Sequence, residues 1–272
     1  MIKKFIIFGS CNTAGVELWA EKTIENYCDM DILMAAHKSD VISYADHVQN
    51  GKSISFIKDQ IDYETKNSWV KILNNNFPDS DILNFSVAQS NLKNFIKAST
   101  YLHQNKIEKE TTRIIIEMTE PTGLTFCQDN ILKSLGKPCL EIWVGKEEST
   151  FMNSYLDKYE NERYRAYLDL ISMYNLVGNL RYQGYTVDYF IWNRDPWIKL
   201  LQRSQPIKLF NPDNNNTDAL DTLFFDFFDN SLISYEQEKE LQKFKTYPQG
   251  HFTPQAHNLL GQLISEKIKE IV

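Results

Sequence analysis

Lys4-Phe5-Ile6-Ile7-Phe8-Gly9-Ser10-Cys11-Asn12-Thr13-Ala14-Gly15 is the stretch on which the reading of this chain turns. An apolar run ends at Gly9, small polar residues follow, and Val16-Glu17-Leu18-Trp19-Ala20 then takes up helical spacing. The pattern predicts a buried strand, a tight turn and a helix. A turn of this kind presents a side chain beside the free N–H groups of a helix start, which suits a nucleophile and a developing oxyanion. The plain alternative is a tight turn that buries a small cysteine, since free Cys often packs as a hydrophobe.

Outward from this turn, apolar runs at residues 82–85, 113–118 and 187–192 predict three more strands, and 138–144 offers a further one. Helical spacing predicts helices over about 64–74, 92–104, 154–183, 197–202, 235–244 and 255–271, with Thr253-Pro254 capping the last. The aromatic run within 220–228 reads as a buried helix, with an exposed patch for a partner or an acyl chain as the alternative. Strands that alternate with helices imply an α/β fold, a three-layer α/β/α sandwich around a mainly parallel, flavodoxin-like sheet. The expected organisation is one domain over 1–272 with insertions at about 26–62 and 205–245. Any site should lie at the carboxyl ends of the strands.

Charge and cysteine usage exclude several function classes. Asp and Glu number 36 against 29 Lys and Arg, with no basic tract, so a groove that tracks nucleic-acid phosphates is not expected. Cys11, Cys28, Cys127 and Cys139 show no CxxC spacing, which argues against a zinc site or a disulfide framework. No metal or other cofactor is expected. The start, Met1-Ile2-Lys3-Lys4-Phe5, is too short and too soon interrupted for a signal peptide, and no apolar run is long enough to span a bilayer. A cytoplasmic protein is expected, or a virion protein if a phage encodes it.

Gly9-Ser10-Cys11-Asn12-Thr13-Ala14-Gly15 resembles the first sequence block of the SGNH/GDSL hydrolases, and Gly250-His251-Phe252-Thr253-Pro254-Gln255-Ala256-His257 resembles their last. The two blocks stand near opposite termini in the family's order. The resemblance implies Cys11 at the nucleophile position and His251 as its base. Ser10 takes the nucleophile's place only if the turn is shifted by one residue. Asn84-Phe85-Ser86-Val87-Ala88-Gln89-Ser90-Asn91 resembles the second block, with Gln89 where an oxyanion-binding glycine belongs and Asn91 nearby. After the third strand stands Thr119-Glu120-Pro121-Thr122-Gly123, with Pro121 near the place of an oxyanion-binding asparagine and Glu120 as the only polar group of reach. No acid stands two or three residues before His251, where Pro248 and Gln249 are found; Asp226 and Asp229 are the substitutes that the sequence offers.

Two readings follow. The first is a non-catalytic SGNH-like protein with a degenerate site, used for binding protein partners in an assembly, for example a phage particle, since the first block and the Pro121 turn resemble phage-encoded members. The alternative is an esterase that removes O-acyl groups from a carbohydrate or lipid ligand through a Cys11–His251 dyad.

Overall fold

The computed structural model describes residues 2–10, 13, 18, 63–64, 66–86, 91–119, 123–128, 131–136, 162–202, 226–244 and 252–271. Four strands form one parallel sheet: β1 (Lys4–Phe8), β2 (Asp81–Asn84), β3 (Thr112–Met118) and β6 (Thr186–Ile191), in the order β2-β1-β3-β6. Lys4 pairs with Asp81 on one side and with Thr112 on the other, and Arg113 pairs with Thr186. Between β3 and β6 an antiparallel hairpin, β4 (Gly123–Gln128) and β5 (Ile131–Gly136), stands as a separate two-stranded sheet.

The strands form where they do because their side chains are apolar on both faces, as a sheet covered on both sides requires. Ile6, Phe8, Ile114, Ile116, Met118, Tyr189 and Ile191 project to one face. There they meet α2 (Asn91–Gln104), α3 (Glu162–Tyr182) and α4 (Asp195–Gln202) through Ala98, Leu170, Met173 and Trp197. Phe5, Ile7, Ile115, Phe190 and Trp192 project to the other. That face is covered by α1 (Trp69–Asn76), α5 (Tyr235–Gln242) and α6 (Pro254–Ile271) through Trp69, Leu73, Leu241, Leu260 and Ile264. The result is the expected three-layer α/β/α arrangement. Each fully buried large apolar side chain contributes about 1.5–3 kcal/mol, so the two clusters fix the sheet between its helix layers.

The predicted strands and helices agree with these elements to within a few residues at most ends. The β4–β5 hairpin is an addition that the sequence reading passes over. The expected strand at 138–144 and the insertion at 26–62 lie outside the described residues, as does the part of the aromatic run before Asp226. Phe227 and Phe228 are buried beside Tyr189, whose ring stacks on Phe227 at 4.1 Å and whose hydroxyl donates to the Phe227 carbonyl at 2.7 Å. Residues 226–244 are tied to β6 by bonds from Leu232 N–H to the Tyr189 carbonyl and from Ile191 N–H to Ser231 Oγ. Arg194 and Glu238 form a buried pair, 3.3 Å from Nε to Oε2, with Arg194 N–H donating to Glu238 Oε1. Burial pushes the Glu238 carboxyl up to about 7 despite those two favourable contacts.

α1 and α6 pack closely because Gly261 faces α1. A Cβ at Gly261 would stand 2.5 Å from Ile72 Cβ and 2.8 Å from the Trp69 carbonyl oxygen. Gly178 on α3 has open space around it. Gly178→Ala should therefore stabilise the chain by up to about 1 kcal/mol, the ordinary helix-propensity gain. Gly261→Ala should lose about 1–3 kcal/mol to overpacking in spite of the same gain. Urea unfolding of the two variants checks the opposite signs.

Candidate functional site

In the order β2-β1-β3-β6 the chain leaves β1 toward β2 and then crosses back to β3, so the switch point lies between the carboxyl ends of β1 and β3. Ligand sites of open α/β sheets occur at that place. β1 delivers Gly9 and Ser10 there, and β3 delivers Glu117 and Met118.

Glu117 is the unexpected member. The residues of β3 alternate faces, and Glu117 shares the face of Ile115, which is covered by α1 and α6. Its side chain is fully buried. It reaches the turn after β1, where Ser10 N–H donates to Oε2 at 2.7 Å and Ser10 Oγ lies 2.5 Å from Oε1. Thr13 Oγ1 donates to the same Oε2. Gly9 makes this approach possible, since a Cβ there would stand 2.6 Å from Glu117 Oε2 and 2.5 Å from Thr13 Cβ. Burial pushes the Glu117 carboxyl above its ordinary pKa, and the bonds from Ser10 and Thr13 only partly offset that.

Ser10 Oγ donates to Oε1, while Oε2 accepts from the Ser10 amide and the Thr13 hydroxyl. Thr13 in turn accepts from the indole N–H of Trp69 at 3.1 Å, and Trp69 N–H donates to Nδ1 of the buried His257 at 3.2 Å. His257 Nδ1 is thus the acceptor nitrogen of the ring. The hydrogen-bonded path joins the end of β3, the turn after β1, the start of α1 and the first turns of α6. On the other side Asn84, the last residue of β2, accepts from Ser86 N–H at 3.1 Å and directs its amide at the Thr13 carbonyl, 3.5 Å away.

The sequence-predicted site residues are placed unevenly. Ser10 is buried, and its hydroxyl is engaged by Glu117. Asn91 is the first residue of α2. Cys11, Gln89, Glu120 and His251 lie outside the described residues. Thr253, two residues after His251, caps α6 as expected: its Oγ1 accepts from Ala256 N–H at 3.4 Å and donates to the Phe244 carbonyl at 2.7 Å. Asp226 and Asp229 are exposed. Glu117 was missed because Ile114-Ile115-Ile116-Glu117-Met118 reads as part of a strand, and the sequence reading sought the site's polar groups only in the loop after it. The available signal was parity, because Arg113, Ile115 and Glu117 share one face of a strand covered on both sides.

A cleft of about 190 Å³ lies between Leu18, Tyr63, Asn67 and Lys71 on one side and Pro254 and Asn258 of α6 on the other. A larger groove of about 680 Å³ runs between α2 and α3, with His103 as the one titratable residue of its lining. Among the described residues no group of three His, Cys, Asp or Glu could hold a metal ion, and no helix is long and apolar enough to cross a membrane.

No protein-family model matches the chain. No curated protein matches it significantly. Among solved structures it is similar to a "putative lipolytic protein of G-D-S-L family" from Desulfitobacterium hafniense, with 97% of this chain and 99% of that chain covered, a TM-score of 0.37 and 10% identity. A likeness that distant transfers neither family nor activity.

Glu117 makes a testable pair of variants. Glu117→Gln removes the ionisable group at nearly the same shape, with its amide oxygen still able to accept from the Ser10 amide and the Thr13 hydroxyl. Glu117→Ala orphans buried donors at a cost of about 1–3 kcal/mol each. The native carboxyl has a raised folded pKa, so its contribution is fully present below the ordinary carboxyl range and is lost as pH rises through the raised value. Stability measured against pH should therefore fall for the native chain relative to Glu117→Gln as pH increases. Glu117→Ala should be the least stable of the three near pH 5.

Proposed function

We propose that the chain is a slow acyl hydrolase of SGNH-like design, with Cys11 as nucleophile and His251 as base. The observation that carries this reading is the Glu117 clamp. A buried carboxyl is costly, and here it is spent on the backbone and side chains of Ser10 and Thr13, the residues on either side of Cys11 and Asn12. A turn that only closes a strand needs no such support.

The clamp also supports Cys11 over Ser10, because the Ser10 hydroxyl is already bonded to Glu117. In the proposed reaction Cys11 Sγ, as thiolate, attacks the ester carbonyl and His251 returns its proton to the leaving alcohol. Water, deprotonated by His251, then releases the acid from the thioester. The substrate class is an O-acyl ester of a carbohydrate or lipid. Turnover is expected to be slow, since no acid stands beside His251 in sequence. Gln89 and Pro121 stand where the resemblance places oxyanion donors, each worth roughly 10²–10³-fold in rate.

A model acetyl-ester assay tests the proposal. Slow multiple turnover is expected from the native chain, with Cys11→Ala and His251→Ala both at background. Cys11→Ser should keep the site but lose rate, because a serine hydroxyl has a far higher pKa than a thiol. Absence of turnover in the native chain, or turnover indifferent to Cys11→Ala and His251→Ala, would return the chain to the reading in which this fold serves binding or assembly.

A further inference from the structure

The first turn of α2 carries a second feature that the clamp does not explain. Asn94 is fully buried, yet neither the oxygen nor the nitrogen of its side-chain amide has a hydrogen-bond partner. Buried amides are almost always paired, because leaving them unpaired costs stability. Such a group in a folded protein calls for a ligand or another functional reason.

Its place is set by helix register. Asn94, Ala98 and Tyr101 follow at four and three residues, so they share one face of α2. Tyr101 packs on Phe8 and Phe85, with ring centroids 6.3 and 4.3 Å away. Phe8 is the last residue of β1, and Phe85 directly follows β2. Because α2 follows β2, its amino terminus lies at the carboxyl edge of the sheet, and Asn94 stands nearer that edge than Tyr101. The amide is thus carried toward the strand ends from which Gly9, Ser10 and Asn84 emerge. The same first turn has backbone N–H groups with no partner inside the helix and the positive end of the helix dipole.

We propose that the Asn94 amide, with the first turn of α2, is the oxyanion-binding element of the candidate site. It takes the carbonyl oxygen of an acyl group as that oxygen gains charge, and the carboxylate oxygen of the released acid. The proposal rests on the acyl-hydrolase reading and deepens it. Asn94 supplies from α2 the side-chain donor that the third block lacks at Pro121. Its burial strengthens the bond, since a donor shielded from water stabilises developing charge more than an exposed one.

Two measurements test this, and they fail separately from the hydrolase reading. The first is acetate titration of the ¹⁵N-labelled native chain, followed at the Asn94 side-chain amide. A saturable shift at Asn94 is expected, with the accompanying shifts of the backbone amides in the first turn of α2 lost in Asn94→Leu. The second compares Asn94→Leu with the native chain in melting temperature and ester turnover. Leu removes two unsatisfied buried atoms at similar volume, so the melting temperature should hold or rise. In turnover kcat should fall about 10²–10³-fold with KM little changed. A purely structural Asn94 would instead lower the melting temperature, and that result overturns the proposal. So does ester turnover without any acetate shift at Asn94, which would leave the hydrolase reading standing. An acetate shift at Asn94 in a chain without turnover would support the oxyanion element and remove the hydrolase reading.

Discussion

A buried carboxyl beneath Ser10 and Thr13 is the constraint on which the rest of this site depends. Glu117 approaches Gly9 so closely that no side chain fits there, and it takes its hydrogen bonds from Ser10 and Thr13. The interaction joins two strands that are neighbours in the sheet but far apart in sequence. Burial pushes the carboxyl above its ordinary pKa, and the bonds it accepts from Ser10 and Thr13 oppose that shift. One side chain thereby sets both the backbone and the hydroxyl groups of the turn.

Trp69 extends that constraint to the helix layer. Its indole N–H meets Thr13, its backbone N–H meets His257, and its ring stands edge-on to Phe190 at 5.5 Å. The same residue's carbonyl borders Gly261, where α1 and α6 come closest. The turn after β1 is therefore positioned by the packing of α1 on α6 as well as by β3. On the opposite face the Phe8–Phe85–Tyr101 ring cluster sets the height of α2, and with it Asn94. Both faces of the sheet thus contribute to one edge.

Much of this architecture was legible in the sequence. Runs such as Phe5-Ile6-Ile7-Phe8 and Ile114-Ile115-Ile116 are apolar on both strand faces, which only a covered parallel sheet satisfies. The last helix announced itself by Thr253-Pro254 and by Ala256, Leu260, Ile264 and Ile268 on its buried side. The hairpin from Gly123 to Gly136 escaped notice because its strands are short and mixed in character. Glu117 and Asn94 escaped for a different reason. A polar residue in a strand or helix reads as exposed until tertiary packing shows which side it takes. Cys11 and His251, by contrast, were found through the resemblance of their blocks, and their pairing belongs to the proposal.

The central claim is that Glu117 is a buried carboxyl of raised pKa bonded to Ser10 and Thr13, the residues that flank Cys11 and Asn12 in sequence. Its carboxyl carbon can be followed by ¹³C NMR across a pH titration, together with the Ser10 amide proton. The account predicts that Glu117 titrates above the usual carboxyl range, and that the Ser10 amide shifts in step with its titration. A carboxyl that ionises in the ordinary range, with a Ser10 amide indifferent to it, would contradict the account.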